Sequence, residues 1–162
     1  MFHVVLVEPE IPPNTGNIAR LCLSTASRLH LVKPLGFSLH EKSLRRAGLD
    51  YWQDVDVSLW DSFEDLFTHT RRSGTPSQAP PNFHFLTTKA QKPYWDAAFT
   101  AGDYLVFGRE TKGLPESLLE THANSLLTIP MPGEHARSLN LATAAGIVLY
   151  EALRQITLSP LS

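Results

Sequence analysis

Short apolar runs alternate with helical patterns along this chain, and this order constrains the fold more than any other feature. Most of the runs are continuously apolar, as is typical of strands that helices cover on both faces. The segments 17–26 and 62–69 between them carry apolar residues at helical spacing. The alternation predicts an α/β domain built on a mainly parallel, Rossmann-like sheet. The predicted strands are 2–7, 29–33, 83–87, 104–108 and 126–129, with a weaker candidate at 55–59.

The length of the chain predicts a single domain. With 162 residues, 43% of them hydrophobic, it can bury one substantial core but hardly two. The segment 71–82, "RRSGTPSQAPPN", resembles a linker but is too short to divide the sheet, so we expect a surface loop. We assign residues 1–156 to the domain and expect 157–162 to form a frayed tail.

The charge balance excludes a general attraction to nucleic acid or membrane, because the formal net charge is only −2. Any RNA contact must therefore come from local patches. No apolar run reaches membrane-spanning length, and "MFHVVLVEPE" is typical of a strand and not of a signal peptide. The single cysteine, Cys22, is compatible with a reducing compartment. These features indicate a cytoplasmic protein with no membrane contact.

Four common chemistries lack their motifs. "GRETKG" has the glycine spacing of a phosphate loop, but Leu114 and Pro115 follow where Lys and Ser or Thr are required. One cysteine and seven scattered histidines do not form a zinc motif, so we expect no metal. Neither a Gly-x-Ser-x-Gly elbow nor a Gly-x-Gly-x-x-Gly turn after the first strand is present.

The loop after the first strand, "EPEIPPNTGNIAR", opens a helix. Asn14 is the predicted N-cap, and the unpaired amides of such a helix start can hold an anion or a polar group. Arg20 follows six residues later, on a different stripe from Ile18 and Cys22. A capped helix with a solvated arginine explains the same residues.

A second loop follows the strand that ends at Gly108, within "GDYLVFGRETKGLP". Ligands of open α/β sheets bind beyond the carboxyl ends of the strands, which places Gly108, Arg109 and Glu110 in a favoured position. The alternative is a plain turn with exposed charges.

A third loop, "IPMPGEHARSLNLATAAG", follows the strand that ends at Ile129. Asn140 or Ser138 is expected to cap the next helix. Capping does not explain why Arg137 accompanies both of them. Behind the cap lies a stripe expected to be core, formed by Leu141, Ala145, Val148, Leu149, Ala152 and Ile156.

Together the three loops resemble the three motifs of SPOUT-class RNA methyltransferases, and specifically those that methylate the ribose of the tRNA wobble nucleotide. The resemblance covers nearly the whole chain. It implies a C-terminal trefoil knot, S-adenosylmethionine as cofactor, and a homodimer with active sites at the subunit interface. It also implies transfer of a methyl group to the 2'-hydroxyl of nucleotide 34, cytidine or a modified uridine, in the tRNA anticodon loop. Three stretches depart from the family pattern: the loop with Arg71 and Arg72, Arg109, where a proline is usual, and the segment "LNLATAA".

The resemblance also implies roles for individual residues. Arg20 is the residue usually assigned to activating the hydroxyl, but a guanidinium stays protonated, which favours stabilising an alkoxide or clamping a phosphate. Ser138 and Asn140 would orient cofactor and ribose, and Glu110 would order the arginine or its loop. The implied catalytic residues are Asn14, Arg20, Glu110, Ser138 and Asn140, and the implied cofactor-binding residues are Leu86, Gly108, Ile129 and Ser138.

Cations and aromatic rings lie together in "EKSLRRAGLDYW", an arrangement that suits phosphates and stacked bases of an anticodon loop. An ordinary exposed basic helix explains the same residues. With the resemblance, the predicted RNA-binding residues are Lys42, Arg45, Arg46 and Arg137. Two other functions stay open: the same reaction on ribosomal RNA, and a module that binds cofactor or RNA without catalysis.

Overall fold

Six parallel strands form one sheet in the order β3-β2-β1-β5-β4-β6. The computed structural model describes residues 1–40, 42, 46 and 52–158. This sheet confirms the predicted α/β class, and the weaker strand candidate at 55–59 forms two residues later. The strands are β1 His3–Val7, β2 Arg28–Val32, β3 Val57–Trp60, β4 Phe83–Leu86, β5 Tyr104–Phe107 and β6 Leu126–Leu127.

Helices cover both faces of the sheet. They are α1 Pro12–Ser24, α2 Phe63–Ser73, α3 Glu116–Thr121 and α4 Leu141–Leu158, with 3-10 turns at Trp52–Asp54, Tyr94–Asp96 and Ala123–Ser125. Among the described residues, none of the helices has the length and apolar character needed to cross a membrane.

The boundaries of the predicted loop and of the predicted tail both differ from the structure. The first three residues of the predicted loop 71–82 belong to α2. The positive charges of Arg71 and Arg72 in the last turn stabilise the negative end of the helix dipole, which favours this extension. Helix α4 continues through Leu158, two residues into the predicted tail, and 159–162 lie outside the described residues.

The prediction that Asn14 caps α1 is wrong. The helix begins earlier, with Ile11 at the N-cap and Pro12 and Pro13 in the first two positions. Proline suits these positions because its missing N–H would have no helical partner there. Asn14 therefore lies inside the first turn, where its buried side chain is available for other contacts.

The two faces of the sheet build two apolar layers. Val4 and Leu6 of β1 belong to the layer with α1 and α4, and Val5 and Val7 point to the opposite layer with α2 and α3. The predicted stripe of α4 lies in the first layer. Leu141, Ala145, Val148, Leu149 and Ala152 of this stripe are buried, and Ile156 is partly buried.

Two histidines bridge the strands β1 and β2 at the sheet surface. Trp60 Nε1 donates to His30 Nδ1 at 3.0 Å, so the proton of the neutral His30 ring lies on Nε2. That proton is donated to His3 Nδ1 at 2.9 Å. Burial, with smaller effects of His3 and the Arg28 charge, lowers the pKa of His30 to about 3. Burial and the Arg28 charge lower the pKa of His3 to about 4.

This pair predicts a loss of stability in mild acid. In the unfolded chain both imidazoles become protonated below about pH 6.5, whereas in the folded chain they stay neutral down to about pH 3–4. The unfolded state therefore binds more protons in mild acid, and unfolding is favoured as the pH falls. We expect a lower Tm at pH 5 than at pH 7. Ring nitrogen shifts in NMR should show both histidines neutral at pH 5, and protonation of either ring near pH 6.5 in the folded protein would contradict this account.

Candidate functional site

A cavity of about 500 Å³ opens beyond the carboxyl ends of β4, β5 and β6. The segments 86–89, 107–114 and 137–141 form most of its wall, and Asn14 of α1 closes one side. This is the edge of an open α/β sheet at which ligands usually bind. The three loops that the sequence singles out therefore meet around one space.

Every predicted cofactor-binding residue contributes to this wall: Leu86, Gly108, Ile129 and Ser138 all line the cavity. So do Asn14, Glu110 and Asn140 of the predicted catalytic set, and Arg137, which the sequence assigned to RNA.

Arg20 lies apart from the cavity. It follows Asn14 by six residues, so an ideal helix places it about 9 Å further along α1 and rotated by roughly 240°. Its side chain is exposed and is not among the described residues that line the cavity. Within one chain, the structure therefore separates Arg20 from the other predicted catalytic residues.

Glu110 joins the second loop to the first. Its Oε2 accepts the N–H of Glu10 at 2.8 Å, and its Oε1 accepts the N–H of Ile11 at 3.0 Å and Asn14 Nδ2 at 3.3 Å. A carboxylate that accepts two backbone amides and a side-chain amide is held in charge-assisted hydrogen bonds. Glu110 thus fixes the position of the α1 start.

Asn14 and Asn140 continue this chain of contacts into the third loop. Asn140 Nδ2 donates to Asn14 Oδ1 at 3.0 Å. Asn140 Oδ1 accepts the N–H groups of Ala142 and Thr143 at 2.9 and 3.2 Å. Asn140 is therefore the cap of α4, as predicted, and it also contacts Asn14 of the site. Ser138 lines the cavity and does not cap the helix.

The second loop closes on itself through a tight backbone contact. The N–H of Gly113 donates to the carbonyl of Arg109 at 2.9 Å, and the N–H of Arg109 donates back at 3.2 Å. A Cβ on Gly108 would lie 2.1 Å from the backbone of Gly113 and Leu114. Glycine is thus required at 108 by the crossing of two backbone segments.

Two carboxylates that sequence reasoning missed also tie the first loop to the second. Glu8 adopts a left-handed backbone conformation, with φ of 55°, and forms an ion pair with Arg109. Glu10 Oε1 accepts the hydroxyl and the N–H of Thr111 at 2.7 and 3.2 Å, and the hydroxyl bond lowers the Glu10 pKa. The sequence feature that could have pointed to them is the pair of acidic residues on either side of Pro9. Arg109 therefore has a partner in this chain.

The predicted anticodon-loop cluster lies away from this cavity as far as it is described. Lys42 and Arg46 are helical and exposed, and neither lines the cavity, whereas Arg45 lies outside the described residues. Across residues 1–40 and 52–158, no group of three or more His, Cys, Asp or Glu side chains is arranged to hold a metal ion.

Replacing Glu110 with glutamine is expected to destabilise the protein by about 1–3 kcal/mol, since an amide presents N–H groups to donors that need an acceptor. Urea unfolding measures this loss. Glu116→Gln is the matched control: Glu116 forms an exposed ion pair with Lys89, and such a pair contributes little. Equal losses in the two variants would show that Glu110 does not hold the loops together.

A parallel sheet with a cavity of mixed polar and apolar lining beyond its carboxyl ends places the chain in the class of α/β proteins that bind a small molecule there. Within that class, the chain belongs to the SpoU rRNA Methylase family, whose profile matches residues 1–150.

Similar proteins cover nearly the full chain. The tRNA (cytidine(34)-2'-O)-methyltransferase of Saccharophagus degradans is 49% identical over 160 residues, covering 96% of each chain. A solved structure described as giving structural insights into the 2-OH methylation of C/U34 on tRNA is 44% identical over 97% of each chain, with a TM-score of 0.88. The SpoU methyltransferase AviRb of Streptomyces viridochromogenes, in complex with the cofactor AdoMet, is 26% identical, with a TM-score of 0.82 over 96% of this chain and 58% of that one.

Proposed function

We propose that this protein transfers a methyl group from S-adenosylmethionine to the ribose 2'-hydroxyl of the wobble nucleotide, position 34, of tRNA. The observation that carries the proposal is the continuous contact from Glu110 through Asn14 to Asn140, which joins all three loops around one cavity. The names of the relatives support tRNA as substrate and cytidine or uridine as the nucleoside. The proposed tRNA substrate supports a cytoplasmic location.

The residues of the cavity fit S-adenosylmethionine. Its volume of about 500 Å³ lies in the usual range for cofactor sites, and its wall combines apolar side chains such as Leu86 and Ile129 with polar groups. We assign the loops after Leu86, Gly108 and Ile129, together with Ser138, to holding it. When bound, this cofactor supplies a methyl group on a positively charged sulfur that is already activated for transfer to oxygen.

The chain's own residues must then position the hydroxyl and stabilise the charge that develops on it. Asn14, Asn140 and Glu110 act as positioning residues, because their polar atoms already bind one another or the backbone. A guanidinium group donates hydrogen bonds and accepts none, so the role assigned to Arg20 is to stabilise the developing alkoxide or to clamp the adjacent phosphate.

Arg20 can act at the cavity if a second copy of the chain supplies it. We therefore propose a homodimer whose active sites combine the cavity of one copy with Arg20 of the other. Exposed apolar side chains on the α1 and α4 side support such an interface: Ile11 is 43% exposed, Leu139 37% and Tyr150 56%. Thr143, Gly146 and Tyr150 form one open stripe of α4 on which a partner helix could pack.

We also propose a trefoil knot in the C-terminal part. Strand β6 lies at the outer edge of the sheet, beside β4, yet the following helix α4 packs against α1 and β5 near the middle. The segment 128–140 must therefore cross back over the carboxyl ends of β4 and β5. Passage of this segment through the connection between β4 and β5 would form the knot.

The RNA is proposed to reach the cavity past Arg137, with Lys42, Arg45 and Arg46 contacting the anticodon loop. Lys42 and Arg46 are exposed, as such contacts require. Cations at these positions would bind phosphates and leave sequence discrimination to the bases.

Methyl transfer to RNA tests the proposed function. Purified protein is incubated with labelled S-adenosylmethionine and either unmodified tRNA or ribosomal RNA. We expect label in tRNA and none in ribosomal RNA. Label in ribosomal RNA alone would favour the reaction suggested by the family's name, and cofactor binding without transfer to either RNA would indicate a non-catalytic module.

A further inference from the structure

We propose that a second cleft, at the opposite end of the sheet, binds a phosphate of the RNA backbone. The inference rests on the proposed function. The cleft has a volume of about 320 Å³ and lies at the amino ends of β4 and β6, between α2, the turn 123–125 and the segment 92–98. One strand length of about 10–13 Å separates it from the cofactor cavity.

Two cations stand at this cleft. The Arg71 guanidinium lies over the rings of Phe67 and Phe83, at 5.0 and 5.9 Å from their centres. Stacking on rings orients the planar guanidinium and leaves its N–H edges available to oxygen acceptors. Lys92 lines the cleft from the segment 92–98 and is exposed. Within the described part of the chain, neither cation forms an ion pair.

Neutral donors complete the lining. Asn124 and Ser125 offer an amide and a hydroxyl, and His122 stacks on Phe85 with ring centres 4.3 Å apart. Phosphate oxygens accept hydrogen bonds from all of these groups in addition to the charges. The set therefore combines two positive charges with side-chain hydrogen-bond donors.

No Asp or Glu is among the described residues that line the cleft. Asp103 is fully buried, and its oxygens accept hydrogen bonds from Asn82, His84 and Thr100, so it is held by its own donors. Glu64 lies close enough to act on His122 and opposes the Arg71 charge there. The described lining therefore carries two cations and no carboxylate, which makes the cleft positive in a chain whose net charge is −2.

The geometry favours RNA over a free small phosphate. Arg71 and Lys92 are both exposed, so they can meet a phosphodiester carried by a large ligand. Along a helical strand one phosphate follows about every 3.4 Å of axis, so an RNA with one nucleotide in the cofactor cavity carries others at the distance of the cleft. Because the net charge of the chain is −2, RNA must be bound by local positive patches, and this cleft is such a patch.

The test is a double variant, Arg71→Ala with Lys92→Ala, in the full-length protein. Each cation that no longer contacts phosphate should reduce the slope of log affinity for tRNA against log salt by about 1. Because the double variant removes two cations, we expect a reduction of about 1–2. The KM for tRNA should rise while kcat and cofactor affinity stay unchanged. Arg72→Ala is the matched control, because Arg72 is the exposed neighbour on α2 that does not line the cleft. It should leave the slope at the wild-type value.

Thermal unfolding checks that the variants fold. If loss of the Arg71 stacking prevents folding, Lys92→Glu alone tests the cleft, since that exposed side chain supports no core. A slope equal to that of Arg72→Ala overturns the proposal, as does inorganic phosphate binding to the cleft with tRNA affinity unaffected. These outcomes contradict the cleft alone, whereas wild-type protein that methylates no tRNA contradicts the proposed function.

Discussion

Replacing Arg20 with alanine is expected to lower methyl transfer by about 100-fold or more, while the affinity for S-adenosylmethionine changes little. Loss of one group that stabilises developing negative charge typically costs this much. The cofactor cavity is lined without Arg20, so binding there should not depend on it. Single-turnover transfer and calorimetric titration of the cofactor measure the two effects separately.

Arg28→Ala is the control for Arg20. Arg28 is an exposed arginine at the start of β2, paired with Asp56, and it should leave transfer unchanged. Equal losses of transfer and cofactor affinity in Arg20→Ala would instead assign Arg20 to the structure of the pocket.

Mixing two inactive variants tests whether Arg20 acts across a dimer. Ser138→Phe fills the cavity and Arg20→Ala removes the cation, so each variant alone should be inactive. If subunits exchange at random, half of the dimers are mixed and carry one intact site, which restores about a quarter of wild-type activity. No recovery after demonstrated exchange would contradict a site shared between copies.

Replacing Gly108 with alanine is expected to produce the second large effect. Its Cβ would lie 2.1 Å from two backbone atoms, so the turn through Gly113 and Leu114 must open. Overpacking against backbone typically costs about 1–3 kcal/mol or more, and here it also displaces the cavity wall. We expect a lower Tm and at least ~100-fold weaker cofactor binding, measured by thermal unfolding and calorimetry.

Gly74→Ala is the matched control. Gly74 follows α2 with nothing within 4 Å of its Cβ position and a φ of −67°. Alanine should therefore be tolerated there with normal cofactor binding. A Gly108→Ala protein that binds cofactor as tightly as the wild type would show that the close crossing of the second loop does not shape the cavity.

The sequence predicted the sheet because each strand is a short apolar run that must be covered on both faces. It also located the three loops, since polar residues followed strand ends that meet at one edge. The start of α1 was misplaced because a favourable capping residue, Asn14, outweighed two prolines that suit the first turn. A preference for the N-cap position is a property of one residue and says nothing about distant partners. In the structure, Asn14 forms hydrogen bonds with Glu110 and Asn140, which are distant in sequence.

Other parts of the site had no signal of their own in the sequence. Glu8 and Glu10 bind Arg109 and Thr111 across about 100 intervening positions, and their spacing alone specifies no partner. The separation of Arg20 from the cavity became apparent only when the structure placed the cavity on the Asn14 side of α1. The positive cleft at the amino ends of the strands joins Arg71 to Lys92, which lie on different segments and only meet in the fold.

The central claim is transfer to the 2'-oxygen of nucleotide 34, and a substrate that lacks this oxygen tests it most directly. Two synthetic tRNAs are compared by nucleoside mass spectrometry, one with a normal ribose at position 34 and one with 2'-deoxyribose there. We expect one 2'-O-methyl group at position 34 of the first and no methylation of the second. Methylation of the deoxy substrate, or a methyl group at another position of the normal one, would contradict the account.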